Sequence, residues 1–206
     1  VRVLRRPRLE FGFGLIHDSD RNTVWWQTLG SSLFVAPGVR AFATVGAYEA
    51  SDPLRDATRL SGEVGATINR GDASLTAALG GRKLASDLGL DRSLGTWRLG
   101  ASYRLTATAG AGINYAHYSI DETAFLVGND LDIDDLSLDG DVELARNLTL
   151  GLGGGLGYLS DNNHRRSAAV ALTTRLTPRA SVGFFGRGLW YDFRGPGYFS
   201  PDHFLL

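Results

Sequence analysis

Apolar and polar side chains alternate along most of this chain with period two, and the 3.6-residue period of an amphipathic helix is almost absent. From Thr96 to Thr106, Trp97, Leu99, Ala101, Tyr103 and Leu105 fall on one face, with Arg98, Gly100, Ser102 and Arg104 on the other. Leu136 to Ala145 repeats the pattern: Leu136, Leu138, Val142 and Leu144 alternate with Ser137, Asp139, Asp141 and Glu143. Between Leu60 and Asn69, Leu60, Val64, Ala66 and Ile68 stand opposite Glu63, Thr67 and Asn69. Each segment is suited to one wet and one apolar face.

The pattern predicts about eleven strands of roughly 9–13 residues. They lie near 8–17, 23–36, 39–49, 58–69, 73–82, 95–105, 108–119, 136–145, 148–159, 167–177 and 180–192, with a twelfth beginning near 202. Soluble sheets use strands of ~5–6 residues, whereas a tilted membrane-spanning strand needs ~9–11. The connections sort into two kinds. Short turns fall at Pro37-Gly38, Arg70-Gly71-Asp72, Thr106-Ala107, Arg146-Asn147 and Thr177-Pro178-Arg179. Longer polar links fall at Asp18–Asn22, Ala50–Ala57, Lys83–Leu94, Ile120–Asp135, Ser160–Arg166 and Arg194–Pro201. The two kinds alternate, so an up-and-down meander would carry tight turns at one end and loops at the other, as outer-membrane barrels do.

The aromatic residues extend that reading. Trp25, Trp26, Trp97 and Trp190 all lie at strand ends beside long links, which predicts an interfacial belt at the membrane boundary. Phe34, Phe42 and Tyr103 fall toward the short-turn end. The expected fold is therefore an all-β, up-and-down antiparallel transmembrane β-barrel domain covering 1–206, with residues 1–7 as a periplasmic lead-in. A sheet can span hydrocarbon only if it closes, because each unpaired backbone N–H or C=O there costs several kcal/mol. An incomplete barrel would expose two strand edges, so this chain is not expected to fold alone.

Composition narrows the function classes. The 206 residues hold 27 glycines, against a usual share of roughly 7%, yet only six prolines and no collagen-like period. Gly151, Gly153, Gly154, Gly155 and Gly157 lie within an alternating strand and suit a curved sheet; without a Lys-Ser/Thr ending they are not a phosphate loop. A balance of 21 basic against 22 acidic residues offers no basic field for nucleic acid. The absence of cysteine excludes disulfides, thiolate metal sites and a cysteine nucleophile. No run of ~18 apolar residues is long enough for a spanning helix.

Candidate chemistry is sparse. His17, His117, His164 and His203 form no metal-binding pair. Asp18-Ser19-Asp20 and Asp161-Asn162-Asn163-His164 follow no nucleophile–base spacing, so no catalytic residue is assigned. The acid-rich link carrying Asp121, Glu122, Asp130, Asp132, Asp134 and Asp135 lacks the calcium-loop pattern and reads as a solvated loop. Neither a metal nor another cofactor is expected. Charges at the membrane midplane cost ~2–4 kcal/mol for Arg if they face lipid. Arg98, Arg104, Asp139, Asp141, Glu143, Arg175 and Arg187 are thus expected on the lumen face, either pairing with one another as wall structure or lining a polar path. Phe185 and Tyr191 share a face with Arg187 in one register.

Two stretches carry a resemblance. The segment from Tyr191 to Phe204, containing Gly197-Tyr198-Phe199-Ser200-Pro201, resembles part of the outer-membrane barrel of bacterial cellulose export proteins. The start, Arg6-Pro7-Arg8-Leu9-Glu10 with Asp18 to Asn22, looks like the first hairpin of barrels that follow periplasmic tetratricopeptide repeats, an architecture shared with poly-N-acetylglucosamine export porins. The resemblance implies a barrel of about sixteen strands, of which this chain is a part, in the outer membrane. It implies a passive passage for an exopolysaccharide, surrounded by outer-membrane lipid and working with periplasmic repeats and an inner-membrane synthase. Gly197 to Pro201 would then be a structural loop-to-strand element. The alternatives are a general porin or adhesin-type barrel, a barrel-embedded hydrolase, and a soluble all-β binding protein.

Overall fold

The computed structural model describes residues 7–17, 23–87, 89–120, 124, 127, 131–177 and 180–192. The expected twelfth strand, the Gly197–Pro201 motif, Ser19, His203, and Asp121, Glu122 and Asp130 lie outside the described residues. Eleven strands follow one another: β1 (Arg8–His17), β2 (Thr23–Ala36), β3 (Val39–Asp52), β4 (Arg55–Arg70), β5 (Ala73–Ser86), β6 (Asp91–Arg104), β7 (Ala109–Ser119), β8 (Asp132–Ala145), β9 (Leu148–Leu159), β10 (His164–Thr177) and β11 (Ala180–Asp192). Their hydrogen-bonded order is the chain order, β1 to β11. The fold is all-β and up-and-down, as the alternation predicts.

The ladders run further than the hydrophobic pattern does. β3 continues to Asp52 and β4 begins at Arg55, with Ser51 opposite Asp56 and Asp52 opposite Arg55. The Asp52 carboxylate closes this turn by accepting the Leu54 N–H at 2.8 Å and pairing with Arg55 at 3.3 Å. Three links expected to be long, Ala50–Ala57, Lys83–Leu94 and Ser160–Arg166, accordingly shrink to residues 53–54, 87–90 and 160–163. The reason is physical. A 14-residue strand rising ~3.3 Å per residue outruns the ~25 Å apolar band even when tilted, so its last residues pair in water with polar side chains. At the opposite end, Gly38 takes φ 73° in its turn, and a Cβ there would meet the Asn69 carbonyl oxygen at 2.6 Å.

Packing divides the chain into two units, the first of Val1–Asn69, Thr76–Leu99 and Ala116–Ile133, the second of Arg70–Leu75, Gly100–Tyr115 and Asp134–Leu206. In the first unit, β1 pairs with β2 from Arg8 opposite Ser32 to His17 opposite Thr23. The register places Phe11 beside Leu29, Leu29 beside Val45 and Ala47 beside Leu60 on one face. That face is apolar and uncovered: Phe13 is 77% exposed, and Leu9, Val64 and Leu79 are also exposed. In the second unit, Leu152 lies beside Val170 and Val170 beside Gly186, with Leu172 beside Phe184. Leu138, Leu152, Val170 and Phe184 are exposed on the corresponding face.

The first unit has a core on its other, polar face. Val24, Tyr48, Ala50, Ala57 and Leu84, from β2 to β5, cluster with Ala124 and Val127 from the link between β7 and β8. Ile120, Leu131 and Ile133 are buried as well, each at most 5% exposed. The expectation of a solvated loop over Ile120–Asp135 is therefore corrected. Apolar residues recur in this link among the acids, and the described ones at its centre, Ala124 and Val127, bury against the small and apolar ends of four strands. Acidic residues dominate its count, which is why composition alone reads it as solvated. Replacing Leu84, 1% exposed, by Ala should lower stability by about 2–4 kcal/mol. Leu79→Ala on the exposed face of the same strand should cost distinctly less, in urea unfolding followed by tryptophan fluorescence in lipid vesicles.

Candidate functional site

The chemistry-bearing side chains collect on the face opposite the exposed apolar one. In the first unit, Arg98 forms a two-pronged pair with Glu63, Nε to Oε2 at 3.1 Å and Nη2 to Oε1 at 2.7 Å. Its guanidinium lies 5.4 Å from the centre of the Phe42 ring. That ring rests where a Cβ on Gly65 would sit, at 2.4 Å, so only glycine admits it. Beside them the Thr67 and Thr76 hydroxyls bond each other at 3.0 Å. Glu10, Arg40, Phe42, Thr44, Thr67 and Arg98 are among the residues lining a cavity of about 250 Å³.

Nearer the β7–β8 link, Arg92 holds Asp132 through two bonds of 3.1 and 2.7 Å. Arg82 donates to the Ser119 carbonyl at 2.7 Å and lies 5.0 Å from the Tyr118 ring centre. Paired cations thus fix both ends of the buried link, to β7 and to the start of β8.

In the second unit, Asn114 donates to Asp139 at 2.8 Å, and a Cβ at Gly112 would meet the Asp139 carboxylate at 2.7 Å. A Cβ at Gly110 would meet the Asp141 carboxylate at 3.0 Å. Arg165, 1% exposed, pairs with Asp135 at 3.0 Å. The register puts Arg187 opposite Ala169, Phe185 opposite Ala171 and Ser181 opposite Arg175, so Phe185, Arg187 and Arg175 share the polar face.

Several sequence expectations change in detail. Pairing of Arg98 and Arg104 with Asp139, Asp141 or Glu143 is one of the two alternatives the sequence leaves open; in the structure Arg98 takes Glu63 and Asp139 takes Asn114. Arg104, Asp141, Glu143, Arg175 and Arg187 keep the polar parity and form no ion pair among the described residues. Of the tryptophans, Trp25 lies on the apolar face and donates to Glu49 at 2.6 Å, Trp97 stacks on His117 at 6.3 Å, and Trp190 is half exposed. Trp26 departs from the belt. Its ring lies over Gly12 and Gly14 on the polar face, at 2.5 Å from a Cβ placed on Gly14. Adjacent residues of one strand point to opposite faces, so Trp25 and Trp26 cannot both face lipid.

Nor do the other fragments gather into a reacting centre. Asp161 caps its own turn, accepting the Asn163 N–H at 3.1 Å, while His164 packs edge-on against Tyr158 at 5.1 Å. Asp132 and Asp135 of the acid-rich link are both engaged by arginine. Arg92, Arg40 and Arg165 belong to the polar face and escaped the sequence reading, which placed Glu63 there without naming it as a lumen residue. Arg92 was findable, since it lies six residues before Arg98 as Arg104 lies six after, on one parity of one strand. Arg40, at the mouth of a turn, carries no such periodic cue.

Solved structures sharing this architecture are bacterial membrane barrels. A bacterial polysaccharide outer membrane secretin superposes with a TM-score of 0.66 at 14% identity, covering 95% of this chain and 67% of that one. The CymD monoaromatic hydrocarbon channel matches with a TM-score of 0.57 at 10% identity, covering 88% of this chain and 72% of that one. An anion-selective porin from Comamonas acidovorans matches at 0.47 and 14% identity over 72% of this chain and 48% of that one, so the chain spans about half the length of that porin. No family model and no curated protein matches. The fold is that of an outer-membrane β-barrel, and the uncovered apolar face suits contact with lipid.

A charge should discriminate between the two faces. Val64→Arg on the apolar face should cost about 2–4 kcal/mol in vesicle-based unfolding. Thr44→Arg on the polar face should cost much less, and the reverse ranking would put the apolar face against protein.

Proposed function

We propose that this chain forms part of an outer-membrane passage for an exopolysaccharide of the cellulose-like or poly-N-acetylglucosamine-like kind, and that it performs no chemistry of its own. The observation carrying this reading is the separation of faces. An exposed apolar side suits lipid, while hydroxyls, amides and ion-paired arginines line the side opposite, as sugar hydroxyls require. The likeness to the polysaccharide secretin supports the same reading over 95% of the chain. Glycines under Phe42, Asp139 and Asp141 keep the backbone close beneath these side chains.

In this reading the polymer is driven by its synthesis at the inner membrane and handed over by periplasmic tetratricopeptide repeats. The passage supplies a surface that lets it slide, and outer-membrane lipid surrounds the apolar face. A general channel without polymer preference is the competing reading, favoured by the likeness to the CymD hydrocarbon channel.

Removing the gene from a producing strain should abolish polymer in the medium while polymer synthesis continues in the cell. Unchanged secretion would overturn the transport role.

A further inference from the structure

Charge on the polar face of the first unit does not balance locally. The carboxylates that reach this face among the described residues are Glu10, Asp52, Glu63 and Asp132, and each already has an arginine within 3.3 Å, namely Arg8, Arg55, Arg98 and Arg92. Arg40 is left over. Half-buried at the start of β3, it forms no ion pair among the described residues and lines the cavity with Thr44, Thr67 and Thr76. The surroundings keep it so: Arg98 is held by Glu63 and by the Phe42 ring, and Glu10 is held by Arg8 at 2.7 Å.

We propose that this cavity binds a carboxylate-bearing sugar unit, with Arg40 taking the carboxylate and the threonine hydroxyls taking ring hydroxyls. The proposal rests on the saccharide-passage reading and departs from its cellulose-like or poly-N-acetylglucosamine-like polymer in one respect: some of the sugar units carry a carboxylate, which plain cellulose and poly-N-acetylglucosamine lack. A planar guanidinium matches a carboxylate with two parallel N–H···O bonds. A cation with no ion pair among the described residues, set in a concave cavity, raises the local concentration of anions. Because the Thr67 and Thr76 hydroxyls bond each other at 3.0 Å, one donates and the O–H of the other stays available to a ligand. At about 250 Å³ the space lies below the ~300–1,000 Å³ of ordinary ligand pockets, a scale that suits a single sugar ring.

The test is current blockade of the protein purified from outer membranes and inserted in planar bilayers. Short uronate oligomers should interrupt the current at about tenfold lower concentration than glucose oligomers of equal length, equivalent to ~1.4 kcal/mol. Raising the salt to about 1 M, where the screening length is ~3 Å, should shrink that preference. Arg40→Gln should remove it, and Arg40→Lys should retain part of it. If Arg40→Gln does not insert, Thr44→Val should weaken blockade by both oligomers and leave the preference for acid.

Equal blockade by neutral and acidic oligomers, or a preference that survives Arg40→Gln, overturns the proposal but spares the passage. Blockade by inorganic phosphate as effective as by uronate oligomers also overturns it, reducing the cavity to a simple anion site. No blockade by any saccharide overturns the passage reading itself.

Discussion

Backbone hydrogen bonding in a medium without water is the constraint on which the remaining features depend. A peptide group in hydrocarbon has no solvent partner, and leaving it unpaired costs several kcal/mol. Neighbouring strands are therefore held in register residue by residue, as β1 is to β2 from Arg8 opposite Ser32 to His17 opposite Thr23. Once a ladder is fixed, side chains have two directions only. Phe11, Leu29 and Val45 must line up toward lipid together, and Glu10, Gly30 and Thr44 toward the other side.

The polar face answers to a different balance. An arginine beneath a membrane is costly unless paired, and Arg98, Arg92 and Arg165 each find a carboxylate within about 3 Å. Aromatic rings contribute as well. Arg59 and Arg82 lie over Tyr48 and Tyr118, at 4.8 and 5.0 Å. Apolar side chains on this face need cover of their own, which Ala124 and Val127 supply to Val24, Ala50, Ala57 and Leu84. One face thus combines a dry cluster toward the β7–β8 link with a wet cavity near the β2–β3 turn.

Much of the fold was legible because alternation is a local property. The eleven strands could be read from one-dimensional pattern, and for β1, β2, β9 and β11 the expected bounds are the observed ones. Strand ends escaped because polar residues beyond the membrane no longer need to alternate, as at Asp52 and Arg55. The candidate site was legible only by parity. Arg98, Arg104, Asp139 and Arg187 could be assigned a face, but their partners could not be named. Glu63 lies 35 residues from Arg98 in sequence, and only the strand ladders bring the two together.

The sequence by itself determined that the chain is β-structured, that its strands carry one lipid-compatible face, and that charge belongs on the other, because period-two alternation and the cost of a charge in hydrocarbon act residue by residue. Tertiary structure alone decided which arginine meets which carboxylate, that Trp26 turns inward over Gly14, and that Ala124 and Val127 of the acid-rich link are buried. Those outcomes depend on register and on contacts between segments distant in sequence, and a pattern repeating every two residues carries no information about either.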